Sequence, residues 1–405
     1  MSVRFIHSAD WQLGAHFTQF GEDAKRLRAA RLETLRRTLD LVAEREVDAL
    51  LVAGDLFEDS QVDDRLVKEV ANLLSGQSTP VFVLPGNHDP ASGPGSIWQR
   101  EFWKALPDHI RTFEEAGCAP LGDGWLLASP LFQKRSTNDP SQKIEALLSE
   151  IPSDAVKVGM THGSLAIPSQ HQPDDHPIDP KAATQLGLDY LALGHWHSWR
   201  EEDGGRMLLP GTPEQDKWDT RDCGWVALVE IDGPGQSPRV TREPVATLNW
   251  NSLELNCAQP DAEMDRLTEE LAELEPQKDT TILRVQLKGE LGLGDDARVR
   301  EWLAKVTGGF PIVQQQDQSI ARLTAGEREA LLAEHPMLAR VWVALESMEV
   351  LAGKGLSVGE GGLSNAEMQL LIKEAGLDSA DETKLGVHLQ EARRLFMKTL
   401  REGTQ

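Results

Sequence analysis

The chain is short of basic residues, of cysteine and of long apolar runs. Lysine and arginine number 41 against 65 aspartates and glutamates, a formal charge of −24 over 405 residues. That balance weighs against broad electrostatic binding of nucleic acid by this chain alone. It leaves chemistry on phosphates open, because clustered carboxylates attract phosphate once metals neutralise them, and a basic partner can supply missing affinity. Cys118, Cys223 and Cys257 are odd in number, share no ligand spacing and read as reduced thiols, so a cytoplasmic setting is expected. No run approaches the ~18 apolar residues of a membrane span, and no signal peptide is expected. Internal repeats are absent as well.

What is present is an alternation of apolar strands and helical stretches from residue 1 to about 245, as in layered α/β folds. Leu27, Leu32, Leu35, Leu39 and Val42 recur at helical spacing between Asp23 and Glu46, so this helix should cover one sheet face. Its other face carries Lys25, Arg26, Arg28, Arg31, Arg36 and Arg37. Beyond residue 207 strands follow closely, which points to a mixed sheet with a β-rich second half. Residues 250–275 read as a transition with an acidic helix over Asp261–Leu274, followed by a β-α-β unit with strands Thr280–Leu287 and Pro311–Leu323 around a helix Asp295–Lys305. The expected division is 1–249, 250–325 and a helical 326–405. Thr324…Glu327, Ser364…Glu367 and Ser379…Glu382 have capping-box spacing, and Gly353–Gly362 reads as a flexible linker. A last helix would gather Leu385, Ala392, Leu395, Phe396 and Leu400 on one face.

Five short motifs stand where an expected strand gives way to a loop: Asp10-Trp11-Gln12, Gly54-Asp55, Gly86-Asn87-His88-Asp89, His162-Gly163 and Gly194-His195-Trp196-His197. Each follows an apolar run, such as Ala49–Ala53 or Val81–Leu84. Strand C-termini converge on one edge of a sheet, where α/β folds build their sites. Carboxylate, amide oxygen and imidazole together suit two adjacent divalent metals such as manganese. Phosphodiester hydrolysis needs an activated water, neutralised phosphoryl charge and a proton for the leaving oxygen. Two metals about 3.5–4 Å apart do the first two jobs. Asp55 is the natural shared ligand, because a carboxylate directly after Gly54 can face both ions. Asp10 and His197 would serve one, and Asn87, His162 and His195 the other. His88 would remain free to protonate the leaving oxygen, with Asp89 orienting its ring from behind.

This order of motifs resembles the calcineurin-like metallophosphoesterases, whose pattern runs D-x-H, G-D, G-N-H-D/E, H and G-H-x-H. Within that family it is most similar to the SbcD-type nuclease subunit that works with a coiled-coil SbcC-type ATPase. His7–Gly14, Gly194–His197 and Leu209-Pro210-Gly211-Thr212-Pro213-Glu214 carry the narrower resemblance. It implies a β-sandwich flanked by helices, a small β-α-β cap domain, C-terminal helices that bind the ATPase, two manganese ions and DNA as substrate. A homodimer is left open by the resemblance. One position departs from the pattern, since Gln12 stands where the family has histidine. An amide oxygen is a poorer donor than imidazole to manganese, zinc or iron, so this side of the centre should bind its ion more weakly.

Plainer readings compete residue by residue. His7 reads as a strand residue or one behind the ligands rather than a ligand, His16 as a surface residue at the mouth rather than a substitute for the missing imidazole, and His109, His171, His176, His335 and His388 as surface residues. Trp11 and Trp196 can stack on a base or pack around the site. Arg28 and Arg31 can touch DNA or belong to a solvated helix face. Three functions remain in view: a DNA exonuclease or endonuclease subunit, a catalytically weakened scaffold that binds an ATPase, and a small-molecule phosphodiesterase. The cap and terminal helices favour the first.

Overall fold

Residue alternation along the strands dictates the layering of the first part of the chain. In the computed structural model, described here for residues 2–334 (except 94, 169, 171 and 323), 340–345, 391–393 and 395–396, twelve strands form two six-stranded mixed sheets. They are β1 (Val3–Ser8), β2 (Ala49–Ala53), β3 (Val81–Leu84), β4 (Ile110–Thr112), β5 (Gly117–Leu121), β6 (Gly124–Ser129), β7 (Lys157–His162), β8 (Tyr190–Gly194), β9 (Arg200–Glu202), β10 (Met207–Leu209), β11 (Trp225–Ile231) and β12 (Arg239–Pro244). The orders are β12-β11-β1-β2-β3-β4 and β5-β6-β7-β8-β10-β9. The central neighbours β1-β2-β3 and β6-β7-β8 are parallel, so within each sheet their C-terminal ends all point one way.

Successive side chains of β2 go to opposite faces. Leu50 and Val52 join Leu35, Leu39 and Val42 of helix α1 (Ala24–Glu44) and Val67, Val70 and Leu74 of α2 (Asp64–Ser75). Leu51 and Ala53 turn inward to Phe5, Val158, Met160, Tyr190 and Ala192, which fill the space between the sheets. Leu191 and Leu193 of β8 face outward again, against Ile144 of α4 (Gln142–Leu147) and Ala183 of α5 (Ala182–Leu186); the short α3 spans Glu101–Lys104. The result is helix, sheet, sheet, helix, the sandwich that the family resemblance implied, whereas the alternation alone suggested one mixed sheet. Each fully buried leucine contributes roughly 1.5–3 kcal/mol relative to exposure, which makes this double interface the chief stabiliser of the unit.

Two features escape a periodicity argument. The hairpin β5–β6 turns through Gly122-Asp123, with Gly122 at φ +53, and joins the second sheet as an edge. Arg31, expected on the solvated face of α1, is buried at 1 % exposure. It lies one turn from Leu27 and Leu35, and its guanidinium donates to the Trp11 carbonyl instead of reaching solvent.

Contacts divide the chain between Leu248 and Asn249. The second unit begins with a strand the sequence did not suggest, β13 (Asn249–Asn256), within the stretch expected to be a transition. Only Leu255 of it is buried, so no strong alternation betrays it. It pairs in parallel with β14 (Thr281–Gly292), which pairs in parallel with β15 (Ile312–Arg322). Helices α6 (Pro260–Leu274) and α7 (Leu293–Val306) make the crossovers and bury Leu267, Leu271, Val299 and Leu303 on the sheet. Helix α8 (Ala325–Glu334) follows, and Thr324 and Glu327 form the expected capping box, with Glu327 N–H 3.3 Å from Thr324 Oγ1 and Thr324 N–H 2.7 Å from Glu327 Oε2.

The Gly353–Gly362 linker, the boxes at Ser364 and Ser379, and Leu385 and Leu400 lie outside the described residues. Of the expected terminal face, Phe396 is buried with its ring 5.2 Å from Trp342, whereas Leu395 is 56 % exposed. Among the described residues no helix is long and apolar enough to cross a membrane.

Candidate metal centre

Past the ends of β1 and β2 the two segments continue side by side as loops. Asp10 N–H donates to the Gly54 carbonyl at 3.1 Å, Gln12 N–H to Asp55 at 2.9 Å and Leu13 N–H to Leu56 at 3.0 Å. This ladder holds unusual backbone: Asp10, Gln12, Asp55 and His195 all have positive φ, at 55°, 41°, 54° and 119°. Each such non-glycine residue costs on the order of 1–3 kcal/mol and persists where its surroundings over-determine it. Glycines permit the closeness. A side chain at Gly54 would run into the His162 ring, and one at Gly86 into the Asp55 carboxylate.

The motifs come together as follows. Ligand atoms of Asp10, Asp55 and His162, all buried, lie within 4.8 Å of one another. His162 Nε2 is 3.4 Å from Asp55 Oδ2 and 2.9 Å from Asn87 Oδ1. His195 Nδ1 is also 2.9 Å from Asn87 Oδ1, and the two imidazoles stand perpendicular, 5.3 Å apart. The Asp10 carboxylate accepts the His195 N–H at 2.9 Å, and Asp55 Oδ1 accepts the His88 N–H at 2.9 Å. Gln12 is 6 % exposed and its amide makes no hydrogen bond among the described residues.

The outer nitrogen of each imidazole is occupied. His162 Nδ1–H donates to the Ala53 carbonyl at 2.8 Å, His195 Nε2–H to Asp175 at 2.9 Å, and His197 Nδ1–H to Asp216 at 2.8 Å. The inner nitrogens of His162 and His195 face carboxylate and amide oxygens, and would present lone pairs to a cation that displaces any proton held there. No lysine or arginine forms an ion pair with Asp10 or Asp55 among the described residues. Converging lone pairs around two buried carboxylates are an arrangement a divalent cation fits.

The titration of the cluster reflects the same crowding. Burial and the neighbouring Asp55 raise Asp10 even against the pull of His162 and His197. Burial would raise Asp55 too, but His162 and His88 hold it below the ordinary carboxylate range. Burial would lower His162, yet Asp55 and Asp10 push it up to about 9. Outside the cluster His7 is lowered to about 3 by burial; its ring lies 2.9 Å from the Tyr190 hydroxyl and 3.1 Å from the Leu193 carbonyl, as a strand residue should.

Several expectations are corrected. Asp89 does not orient His88: its carboxylate accepts N–H groups of Phe57 (2.9 Å) and Gly86 (2.8 Å), bracing two ligand loops. His88 Nδ1–H donates instead to the Glu58 carbonyl at 2.7 Å, with the Glu58 carboxylate 3.9 Å away. Trp11 is buried in the core and cannot stack on a base, whereas Trp196 stays partly exposed, its Nε1–H on Ser164 Oγ at 3.0 Å. Arg31 is buried, and Arg28 donates to the His16 carbonyl at 3.1 Å. His176, expected at the surface, is buried and contacts the Gln133 carbonyl; His171, His335 and His388 lie outside the described residues. His16 is exposed, as expected.

Asp175, Asp216 and Glu58 went unrecognised in the sequence. Asp175 and Asp216 lie 20 and 19 residues from their histidines in irregular segments, where no local spacing rule reaches. Glu214, in the run Leu209–Glu214, is buried and accepts from Thr34 Oγ1 at 2.6 Å and Thr247 N–H at 2.7 Å, tying α1 to the chain after β12.

The chain is similar to several known proteins. Residues 3–199 match the calcineurin-like phosphoesterase family. The chain is 26 % identical over 247 residues to the uncharacterized metallophosphoesterase YhaO of Bacillus subtilis, covering 57 % of this chain and 58 % of that protein. It is 28 % identical over 230 residues to the DNA double-strand break repair protein Mre11 of Methanopyrus kandleri (52 % and 49 %). To a subunit of the nuclease SbcCD from Rhodobacter capsulatus it is 25 % identical over 261 residues (52 % and 62 %). The chain thus spans about half to three-fifths of the length of these relatives. With the sandwich and the convergent Asp-Asp-His group, the matched segment, residues 3–199, is a calcineurin-like metallophosphoesterase domain.

Proposed function

We propose that the chain is a metal-dependent phosphodiesterase acting on DNA, the nuclease subunit of an SbcCD-like assembly. The observation that carries the phosphodiesterase reading is the convergence of Asp10, Asp55, Asn87, His162 and His195 on one buried point with no lysine or arginine paired to the two carboxylates among the described residues. Asp10, Gln12 and His197 would hold one divalent ion, most simply manganese, and Asn87, His162 and His195 a second, with Asp55 shared. Bound there, two such ions would activate water and neutralise phosphoryl charge. The protein supplies the rest. His88, its Nδ1–H fixed on the Glu58 carbonyl, has Nε2 free, and in its imidazolium form would give the Nε2 proton to the leaving oxygen and return to the neutral ring. A cavity beside the centre is lined by His195, Trp196, His197, Ser198, Lys217, Asp219 and Thr220. Trp196 can stack on a base there, and the exposed Lys217 ammonium can meet a phosphate.

The DNA reading draws support from relatives named as a DNA double-strand break repair protein and a nuclease subunit, and from the extra unit after residue 248, which a small-molecule phosphodiesterase does not need. The acidic charge implies a basic partner, and an SbcC-type ATPase engaging the C-terminal helices fits that need. The test is one assay with manganese on linear duplex, single-stranded DNA and bis-p-nitrophenyl phosphate. Cleavage of DNA supports the reading. Turnover of the small diester with none of DNA, even with the ATPase present, overturns the nuclease part, and no turnover of any substrate leaves a binding scaffold.

A further inference from the structure

With Gln12 in place of an imidazole, the Asp10 side of the centre has one histidine, His197, where the Asn87 side has His162 and His195. We infer that Asp216 is a positioning residue that offsets this deficit by fixing and polarising His197. The inference rests on the two-ion reading above. Asp216 Oδ2 accepts His197 Nδ1–H at 2.8 Å, which leaves the other ring nitrogen with the lone pair. Its second oxygen, Oδ1, takes Thr220 Oγ1–H at 2.6 Å, and Thr220 N–H is closed back on the Lys217 carbonyl at 3.3 Å. The carboxylate is thereby held at both oxygens in a tight turn.

Two comparisons within the centre single Asp216 out. His162 is backed only by a neutral carbonyl, from Ala53. His195 is backed by Asp175, but that side chain is 31 % exposed, against 13 % for Asp216, so water screens it more. The buried Arg31, with Nε and Nη2 unpartnered, also attracts Asp216, which steadies the carboxylate charge while offsetting part of its pull on His197. A largely buried anion behind the ring makes the imidazole a stronger donor, and loss of such partners typically weakens metal binding about 10–100-fold.

The experiment uses the full chain stripped with EDTA and titrated with manganese, free ion being counted by electron paramagnetic resonance. Asp216→Ala should weaken one of the two ions about 10–100-fold and leave the other unchanged. Asp216→Asn, which keeps the acceptor and the volume but not the charge, should fall between Asp216→Ala and the native chain. Asp175→Ala should weaken the other ion, and Gln12→His should restore binding in the Asp216→Ala background. Thermal melts in EDTA identify any variant that has not folded, in which case Asp216→Asn alone decides. Native affinity for both ions in Asp216→Ala, or equal loss of both, overturns the inference. A native chain that binds fewer than two ions removes the reading on which it rests, whereas one that binds two without cleaving DNA contradicts only the nuclease reading.

Discussion

His88 and Asp89 are adjacent in sequence and do unrelated work. Asp89 is buried, raised well above the ordinary carboxylate range by burial and by Asp55, and spends its oxygens on backbone N–H groups. His88 keeps one nitrogen free. His88→Ala should therefore retain both metals and lose about 10²–10⁴-fold in turnover, as removal of a general acid does. Loss of metal in that variant, measured by elemental analysis, would mean that a ligand has been misassigned. His7 offers a test of burial itself. Its folded pKa of about 3 lies below the unfolded value of 6.5, so the unfolded chain binds more protons between them. Stability from this group is present above pH 6.5 and is lost as pH falls. Between pH 7 and 5 in EDTA the native chain should lose roughly 2 kcal/mol more than His7→Gln, by urea titration. Equal losses would place a solvated or already charged imidazole at this position.

At the scale of elements, the residues that the structure brings together, Asp10, Asp55, Asn87, His162 and His195, were legible because each stands at or just past a strand end whose apolar run announces it. Val81–Leu84 before Gly86-Asn87 and Tyr190–Gly194 before His195 are uniformly buried strands, and that uniformity marks them in the sequence. β13 was not legible, since it buries one side chain of eight, nor was Arg31, whose burial depends on a carbonyl from another segment. The groups behind His195 and His197 were hidden for a similar reason, because loops position them through contacts rather than through a period. Glycine spacing in the motifs has a direct consequence. Gly86→Ala would force a methyl group onto the Asp55 carboxylate, so it should reduce metal affinity at least tenfold while α1 and the sandwich core stay folded. Metal titration with circular dichroism checks this, and unchanged affinity would show that the Asp55 loop yields freely.

For the whole molecule the charge of −24 is the dominant fact. The arginines of α1 do not relieve it. Arg36 pairs with Glu33 and Glu69, Arg37 donates to the Ala246 carbonyl, and Arg28 and Arg31 are engaged as described. Of the helix face that looked basic in sequence, Arg31 is buried and Arg28, Arg36 and Arg37 are engaged by neighbouring groups at the surface. Duplex-DNA affinity of the chain alone should thus be weak, with a shallow dependence on salt, and should rise with a steeper salt slope once a basic partner is bound. A fluorescence titration at several salt concentrations measures both. Tight binding by the isolated chain would point to a basic surface outside the described residues.

The central claim is that two ions share one carboxylate. Anomalous scattering from crystals of the native chain and of Asp55→Ala, both soaked with manganese, tests it most directly. The account predicts two manganese peaks flanking Asp55 in the native protein, neither peak in the variant, and no phosphodiester cleavage by it. Two peaks retained in Asp55→Ala, or a single peak in the native chain at saturating metal, would contradict it.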